Sequence, residues 1–154
     1  MTFASTIIPA GMIVDANVIL RGYLMDEAQP QAQALIRDYI AGRLELRAPT
    51  LISYELCNAV WQAERRGRVT SDQAEQILRS IEGLGIGLEA VSWQEALPLA
   101  RRFNCSAYDA AYLALANSRG EPFITGDLRL FNAVHSSLSQ VQWVGDYETG
   151  AVPD

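Results

Sequence analysis

Short apolar runs alternate with helix-length segments along the whole chain, and this alternation restricts the possible folds more than any other feature. The first run, residues 12–14, is too short and too continuous to be an amphipathic helix, so we predict a buried strand there. The predicted strands cover residues 12–14, 44–47, 88–91, 123–125 and 141–144. Strands separated by helices form parallel sheets that are covered on both faces. The sequence therefore predicts an α/β fold around a mainly parallel sheet.

The segments between these strands have helical spacing of apolar residues and recognisable helix ends. The predicted helices cover residues 17–23, 31–41, 50 to about 67, 70 or 71 to about 82, 93–103, 106–118 and 128–133. Gly42 and Gly120 follow two of them, as expected for helix C-termini. Residues 83–87, Gly-Leu-Gly-Ile-Gly, superficially resemble a phosphate-binding loop. They follow a helix and precede a strand, the reverse of the order that phosphate binding requires, and we interpret them as a helix end and a turn.

Length and composition indicate one folded domain, spanning residues 1–154, with 49% hydrophobic residues. No stretch approaches the ~20 apolar residues of a membrane span. The first ten residues lack the basic region of a secretory signal. Cys57 and Cys105 lie in apolar segments with helical spacing, and we predict that both are buried free thiols rather than a disulfide. These features predict a cytoplasmic protein without membrane association.

The charge of the chain is unusual for a protein that binds nucleic acid. Its formal net charge is −6, and all 12 basic residues are arginines. This acidity argues against tight non-specific binding of RNA or DNA and favours a narrow, metal-dependent substrate site or a basic partner. Arg65, Arg66 and Arg68 form one local basic cluster. We interpret the cluster as a solvated helix end, with contact to RNA as the alternative.

Four carboxylates occupy related positions in the predicted fold. Asp15 follows the first strand and Asp127 follows the strand at 123–125, while Glu55 and Asp109 lie near the starts of helices. An α/β sheet gathers its site residues where strands end and helices begin, so we expect these four residues, the acidic quartet, to share one pocket. Carboxylate oxygens are the ligands that hard divalent cations prefer. The acidic quartet therefore predicts the chemistry of a metal-dependent nuclease.

Each member of the acidic quartet also has a purely structural interpretation. Asp15 and Asp127 are favoured residues for capping the helices that follow them. Asp109 lies three residues after Ser106, which is the spacing of a capping box at a helix start. Glu55 lies among apolar helical neighbours, where it must reach solvent or be compensated by an arginine or a cation.

Three neighbours of the acidic quartet have predicted supporting roles. Asn17 either caps a helix or holds Asp15 or a metal-bound water. Thr125 offers a hydroxyl two residues before Asp127, where it can orient a carboxylate or a water. Gly126, between them, is expected to provide backbone freedom.

Other enzyme classes lack their required residues. A haloacid-dehalogenase-like phosphatase needs a second aspartate where Asn17 stands, and a receiver-like phosphoacceptor domain needs a lysine. His135 is the single histidine, in a polar stretch, and we predict that it lies at the surface, which disfavours a zinc site. The chain has no Gly-x-Ser-x-Gly elbow and no evident Cys–His pair, so covalent catalysis has no obvious nucleophile.

Taken together, four segments resemble the motifs of the PIN-domain family, in particular the small bacterial and archaeal toxins of the VapC type. The segments are Ile-Val-Asp-Ala-Asn-Val-Ile-Leu at 13–20, Ser-Tyr-Glu-Leu-Cys-Asn-Ala at 53–59, Ala-Tyr-Asp-Ala-Ala-Tyr-Leu-Ala-Leu-Ala at 107–116 and Phe-Ile-Thr-Gly-Asp-Leu-Arg-Leu at 123–130. They contain the whole acidic quartet, and the matching motifs span about residues 12–144. The segment at 107–116 and the Thr-x-Asp at 125–127 are the most specific.

The resemblance implies a three-layer α/β/α fold and an endoribonuclease that depends on Mg²⁺ or Mn²⁺ held by the acidic quartet. It also implies homodimers and neutralisation by a cognate antitoxin protein. An inactive PIN-like module that binds a metal, RNA or a protein is the alternative, and the negative charge slightly favours it. The low basicity and the lack of lysine depart from what broad RNA affinity requires.

Overall fold

A computed structural model describes residues 9–149 of the chain. Residues 1–8 and 150–154 lie outside this range. The first of these segments includes most of the stretch that we expect not to be a secretory signal. The strands are β1 (Ala10–Val14), β2 (Leu44–Pro49), β3 (Gly87–Glu89), β4 (Phe123–Thr125) and β5 (Val141–Trp143). The helices are α1 (Ala16–Tyr23), α2 (Pro30–Ile40), α3 (Ile52–Arg65), α4 (Ser71–Gly83), α5 (Trp93–Phe103), α6 (Ala107–Arg119) and α7 (Leu128–Val134). Short 3₁₀ turns occupy Met25–Glu27 and Val144–Asp146.

All five strands form one parallel sheet in the order β3-β2-β1-β4-β5. The chain moves from β1 towards β3 and then crosses back to β4 and β5. Because parallel crossovers are right-handed, α1–α4 cover one face of the sheet and α5–α7 cover the other. The fold is thus the predicted three-layer α/β/α arrangement. The winding direction reverses between β1 and β4, and a cleft opens at the carboxyl ends of strands that meet in this way.

The hydrophobic core continues through both layers of helices. The central strands are buried on both faces, as Ile13, Val14, Phe123 and Ile124 show with at most 1% exposure. Residues 110–116 of α6 are all buried, which confirms that this helix lies within the core on every side. No helix within residues 9–149 is long and apolar enough to cross a membrane.

The elements differ from the predicted ones mainly at their ends, where strand pairing decides the boundary. β1 begins earlier than predicted because Ala10 already pairs with Leu44. Thr50, the predicted first residue of a helix, instead donates its N–H to the carbonyl of Glu89 at 3.0 Å. Pairing with β2 also shifts the third strand to Gly87–Glu89. Local periodicity does not reveal these partners.

The cysteines are free thiols, as predicted, but their predicted burial was wrong. Cys57 is exposed on α3, because it follows the buried Leu56 and one residue of an α-helix turns the side chain by about 100°. Cys105 is half-buried and lies in the turn before α6 rather than in a helix.

Candidate functional site

The acidic quartet lies around the carboxyl edge of the sheet. Asp15 directly follows β1 and Asp127 lies two residues after β4, on the two strands where the winding reverses. Glu55 and Asp109 lie in the first turns of α3 and α6, one helix from each covering layer. The structure therefore places residues that are far apart in the chain at the same edge of the sheet.

Asp15 is the buried member, with 8% of its surface exposed. It occupies the N-cap position of α1, but its side chain makes no capping hydrogen bond. The carboxylate instead accepts hydrogen bonds from the hydroxyl of Thr125 at 2.8 Å and from the amide of Asn17 at 3.3 Å. The structural interpretation of Asp15 as a cap thus accounts for its backbone position and not for its carboxylate.

Thr125 and Asn17 join the ends of β1 and β4. The Thr125 hydroxyl donates to Asp15 and accepts from the backbone N–H of Asp127 at 3.0 Å. The Asn17 side-chain oxygen accepts from the backbone N–H of Gly126 at 2.8 Å, while its amide donates to Asp15. Both predicted supporting residues therefore hold the Asp15 carboxylate in one orientation.

Gly126 is required for a different reason from the predicted one. Its backbone does not adopt a left-handed conformation. A Cβ atom at this position would lie 2.9 Å from the side-chain oxygen of Asn17 and 2.6 Å from the guanidinium of Arg21. Close approach of Asn17, rather than backbone freedom, explains the glycine.

Asp127 has the structural role that the sequence also suggested. Its Oδ1 accepts a hydrogen bond from the backbone N–H of Leu130 at 3.1 Å and caps α7. The second carboxylate oxygen makes no hydrogen bond among the described residues. Capping and a role in the cleft are therefore compatible in this residue.

Glu55 is held by a residue that the sequence reasoning missed. The Tyr112 hydroxyl donates to Glu55 at 2.6 Å, and its ring is buried and stacks on Phe123 at 5.4 Å between ring centroids. Burial raises the pKa of Tyr112, which keeps the phenol protonated as a donor. The sequence did contain a signal for Tyr112. It lies three residues after Asp109, and residues three apart share a helix face.

Asp109 takes part in only half of a capping box. Its backbone N–H donates to the Ser106 hydroxyl at 3.0 Å, as the spacing predicted. The reciprocal bond, from the backbone N–H of Ser106 to the Asp109 carboxylate, is not formed. The carboxylate of Asp109 is half-buried, which raises its pKa, and the side chain of Ser106 at the helix start opposes this shift.

The electrostatics of the site show that the four carboxylates act on one another. The pKa of Asp15 is raised to about 7, mainly by burial and also by the charges of Glu55 and Asp109, while the hydrogen bond from Thr125 opposes the shift. Burial also raises the pKa of Glu55, with a contribution from Asp109. The pKa of Asp109 is raised by burial and by the charge of Asp127, while Arg129 opposes the shift. A cation in the cleft would relieve this repulsion.

The donor set fits a hard divalent cation in chemistry and charge. Within residues 9–149 the buried polar side chains are Asp15, Asp38 and Thr125. Asp38 is compensated by Arg43 at 3.0 Å and by the hydroxyl of Tyr147, whereas Asp15 has no ion pair in the described part of the chain. The quartet offers carboxylate oxygens, the ligands of Mg²⁺ and Mn²⁺.

The carboxylates are not arranged as a ready-made metal cluster. Among the described residues, no three histidine, cysteine or acidic side chains form a group that could hold an ion as they stand. Glu55 is bonded to Tyr112, and Asp127 caps α7. The case for a cation therefore rests on the donor chemistry and on the uncompensated charge of Asp15.

The remaining predicted residues lie away from the quartet. Arg65, the last residue of α3, is separated from Glu55 by about 15 Å of helix. Arg68 is held by Asp26 and Glu27 through bonds of 2.6 to 2.9 Å. His135 is exposed, as predicted.

Among known protein families, the model of the PIN domain matches residues 12–135 of this chain. Ribonuclease VapC3 from Pyrobaculum aerophilum is 32% identical over 123 residues, which cover 77% of this chain and 91% of that protein. Exonuclease VapC9 from the same organism is 33% identical over 109 residues, with coverage of 70% and 82%. The match to the family and both relatives include most of the chain.

Solved structures share the fold at lower identity. The crystal structure of PAE2754 from Pyrobaculum aerophilum has a TM-score of 0.65 at 23% identity and covers 88% of this chain and 84% of that one. A toxin–antitoxin complex from Klebsiella pneumoniae has a TM-score of 0.59 at 15% identity, with coverage of 85% and 95%. These similarities establish a common arrangement of the sheet and its helices.

Proposed function

This chain belongs to the PIN-domain family, and from that premise we propose that it is an endoribonuclease dependent on Mg²⁺ or Mn²⁺. The observation that carries the proposal is Asp15, a buried carboxylate without an ion pair in the described residues, whose pKa is raised by burial and by its acidic neighbours. A structural role explains Asp38, which has an arginine, but does not explain Asp15. The relatives named as ribonucleases support RNA as the substrate.

We assign the acidic quartet as the ligands of the ion. A bound ion would lower the pKa of a water and offset the charge of the phosphodiester. Thr125 and Asn17 orient Asp15, because both donate to its carboxylate. Tyr112 orients Glu55, and the second oxygen of Asp127 remains available to the cleft while the first caps α7. Residues that orient ligands in this way usually matter for metal affinity and for rate.

The partners of the protein follow from the same assignment. We propose that it acts in the cytoplasm as the toxin of a toxin–antitoxin pair, that a cognate antitoxin protein neutralises it, and that it forms a homodimer. The toxin–antitoxin complex from Klebsiella pneumoniae, which shares the fold, supports the antitoxin as a partner. Light scattering of the purified protein tests the dimer. Arg65 and Arg66 are exposed, and we assign these two cations of the basic cluster to RNA contact outside the cleft. Arg68 is already paired with two carboxylates, so we expect it to contribute little.

Cleavage of RNA by the purified protein tests the function. We expect cuts with Mn²⁺ or Mg²⁺, none with EDTA, and none from Asp15→Asn. Asp72→Asn is the matched control, because Asp72 is an exposed acid in the first turn of α4 and should leave cleavage unchanged. A variant Asp15→Asn that cleaves RNA at the rate of the unmodified protein would refute the assignment.

A circular RNA distinguishes the two modes of attack, because a circle has no end from which an exonuclease can start. One relative carries the name exonuclease, so this distinction is needed. We expect the circle to be linearised in the presence of Mn²⁺. Calorimetric titration with Mn²⁺ gives a second readout. A folded protein that binds Mn²⁺ and cuts neither linear nor circular RNA would favour the inactive binding module.

A further inference from the structure

Two exposed tyrosines immediately precede two members of the acidic quartet. Tyr54 comes before Glu55 in the first turn of α3, and Tyr108 comes before Asp109 in the first turn of α6. Their exposed fractions are 80% and 68%. Within residues 9–149 neither ring stacks on another aromatic ring and neither hydroxyl forms a hydrogen bond. The fold itself therefore makes little use of either ring.

The position of Tyr108 follows from its place on α6. It lies four residues before Tyr112, so the two side chains share one face of the helix. Tyr112 reaches across to Glu55, so this face is the one directed towards α3. Tyr108 lies one turn closer to the N-terminus, and the helix starts at the edge of the sheet where the quartet lies.

Tyr54 lies in the first turn of α3, one residue before Glu55. Its helix follows β2, and both α3 and α6 begin at the carboxyl edge of the parallel sheet. The 2.6 Å hydrogen bond from Tyr112, one turn after Asp109, to Glu55 places the first turns of the two helices close together. Each of the two half-buried carboxylates, Glu55 and Asp109, thus follows an exposed tyrosine in a helix turn at the carboxyl edge of the sheet.

Aromatic rings can provide affinity for RNA that the charge of the protein does not provide. An RNA strand repels an acidic quartet, and a chain with net charge −6 gains little from counterion release. Stacking of bases on aromatic rings adds affinity without positive charge and tolerates any base. Unpaired RNA bases are commonly held in this way.

We infer that Tyr54 and Tyr108 hold the substrate by stacking on the bases next to the phosphodiester that is cleaved. The inference rests on the proposed function, because it takes RNA as the substrate. The rings act as positioning residues: they place the strand over the quartet and take no part in bond cleavage. Stacking free energies of ~1–3 kcal/mol per base correspond to losses of about 5- to 150-fold in affinity for each ring removed.

Equilibrium binding in EDTA tests the inference without cleavage. The probes are a labelled oligoadenylate and a ribose-phosphate strand of the same length that lacks bases. We expect the unmodified protein to prefer the oligoadenylate, Tyr54→Leu and Tyr108→Leu to lose that preference, and Tyr54→Phe and Tyr108→Phe to keep it. The preference should change little with salt, because stacking releases few counterions. Equal binding of both strands by the unmodified protein, or binding of neither, would overturn the inference.

Trp93→Leu is the matched control. Trp93 is 89% exposed in the first turn of α5, which follows the edge strand β3, and it precedes no member of the quartet. The variant Trp93→Leu should leave the base preference unchanged. A loss of base preference as large as that of the tyrosine variants would overturn the inference. Because all three rings are exposed, we expect unchanged unfolding midpoints.

Cleavage kinetics separate this inference from the proposed function. In Mn²⁺ we expect the leucine variants to raise KM with a smaller change in kcat. Normal KM values in cleaving leucine variants would reject the stacking role and leave the nuclease assignment intact. If the unmodified protein never cleaves RNA but the leucine variants lose its base preference, the result would support stacking and reject the nuclease. Loss of antitoxin or self-association, with base preference retained, would assign the tyrosines to a protein interface and overturn the inference.

Discussion

The Tyr112 hydroxyl donates a 2.6 Å hydrogen bond to Glu55, and the two residues are 57 positions apart in the chain. The bond joins α6 to α3, helices that cover opposite faces of the sheet, at the edge where the acidic quartet lies. The ring of Tyr112 is fixed by its own burial and by Phe123. An element of the core therefore sets the orientation of a half-exposed carboxylate.

Tyr112→Phe should reduce activity while leaving the fold intact. The substitution keeps the stacked ring and removes the one atom that contacts Glu55. Loss of a residue that orients a metal ligand typically costs about 10- to 100-fold in metal affinity or activity. Titration with Mn²⁺ and RNA cleavage measure both quantities. An unchanged Mn²⁺ affinity together with an unchanged rate would show that Glu55 does not depend on this bond.

Thr125→Val should impair both stability and activity, because the hydroxyl serves two partners. It donates to Asp15 and accepts from the backbone N–H of Asp127. A buried polar group that loses its partner costs about 1–3 kcal/mol in the free energy of unfolding. Thr125→Ser keeps the hydroxyl and is the control for the loss of the methyl group. If Val and Ser variants unfold at the same denaturant concentration, the hydrogen bonds contribute nothing measurable.

The metal-free protein should lose stability as the pH rises because of Asp15. The pKa of this residue is raised from 3.8 to about 7 in the folded state. Between these values the folded state binds more protons than the unfolded state, so the free energy of unfolding decreases with rising pH. The contribution of Asp15 to the free energy of unfolding is fully lost at pH values above its folded pKa. Its upper limit is on the order of 4 kcal/mol for a shift of this size.

Asp15→Asn isolates this effect, because asparagine cannot ionise and its oxygen can still accept from Thr125 and Asn17. Relative to the unmodified protein in EDTA, the variant should become progressively more stable between about pH 4 and about pH 8. Chemical denaturation at a series of pH values measures the difference. Parallel stability curves for the two proteins would mean that Asp15 titrates with an ordinary pKa.

Gly126→Ala should destabilise the protein and displace Asn17. The added Cβ would lie 2.9 Å from the Asn17 oxygen and 2.6 Å from Arg21, and overpacking of this kind costs about 1–3 kcal/mol. Gly83→Ala is the matched control, because a Cβ there meets nothing within 4 Å and the residue ends α4. Equal unfolding midpoints for the two variants would show that Asn17 and Arg21 move aside without cost.

Local sequence patterns were sufficient to predict most of the elements and the position of each of the four carboxylates after a strand or near a helix start. Apolar residues recur with different periods in strands and helices, so the end of a strand can be recognised within a few residues. An acid that directly follows an apolar run, such as Asp15, can therefore be placed at a strand end. The same local view predicted Cys57 to be buried and assigned Thr50 to a helix. The first error concerns a side chain that packing leaves exposed, and the second concerns an N–H whose partner, the carbonyl of Glu89, lies on β3.

The sequence by itself determined the parallel α/β architecture and placed each carboxylate at the end of a strand or the start of a helix, since these depend on neighbours along the chain. Only the tertiary structure decided what each carboxylate does there. Asp15 and Asp127 both begin helices, yet Asp127 caps its helix while Asp15 bonds to Thr125. The physical reason is that β1 lies beside β4, which places a buried hydroxyl next to Asp15 from 110 positions away. Strand order is a property of the packed sheet, and no local period encodes it.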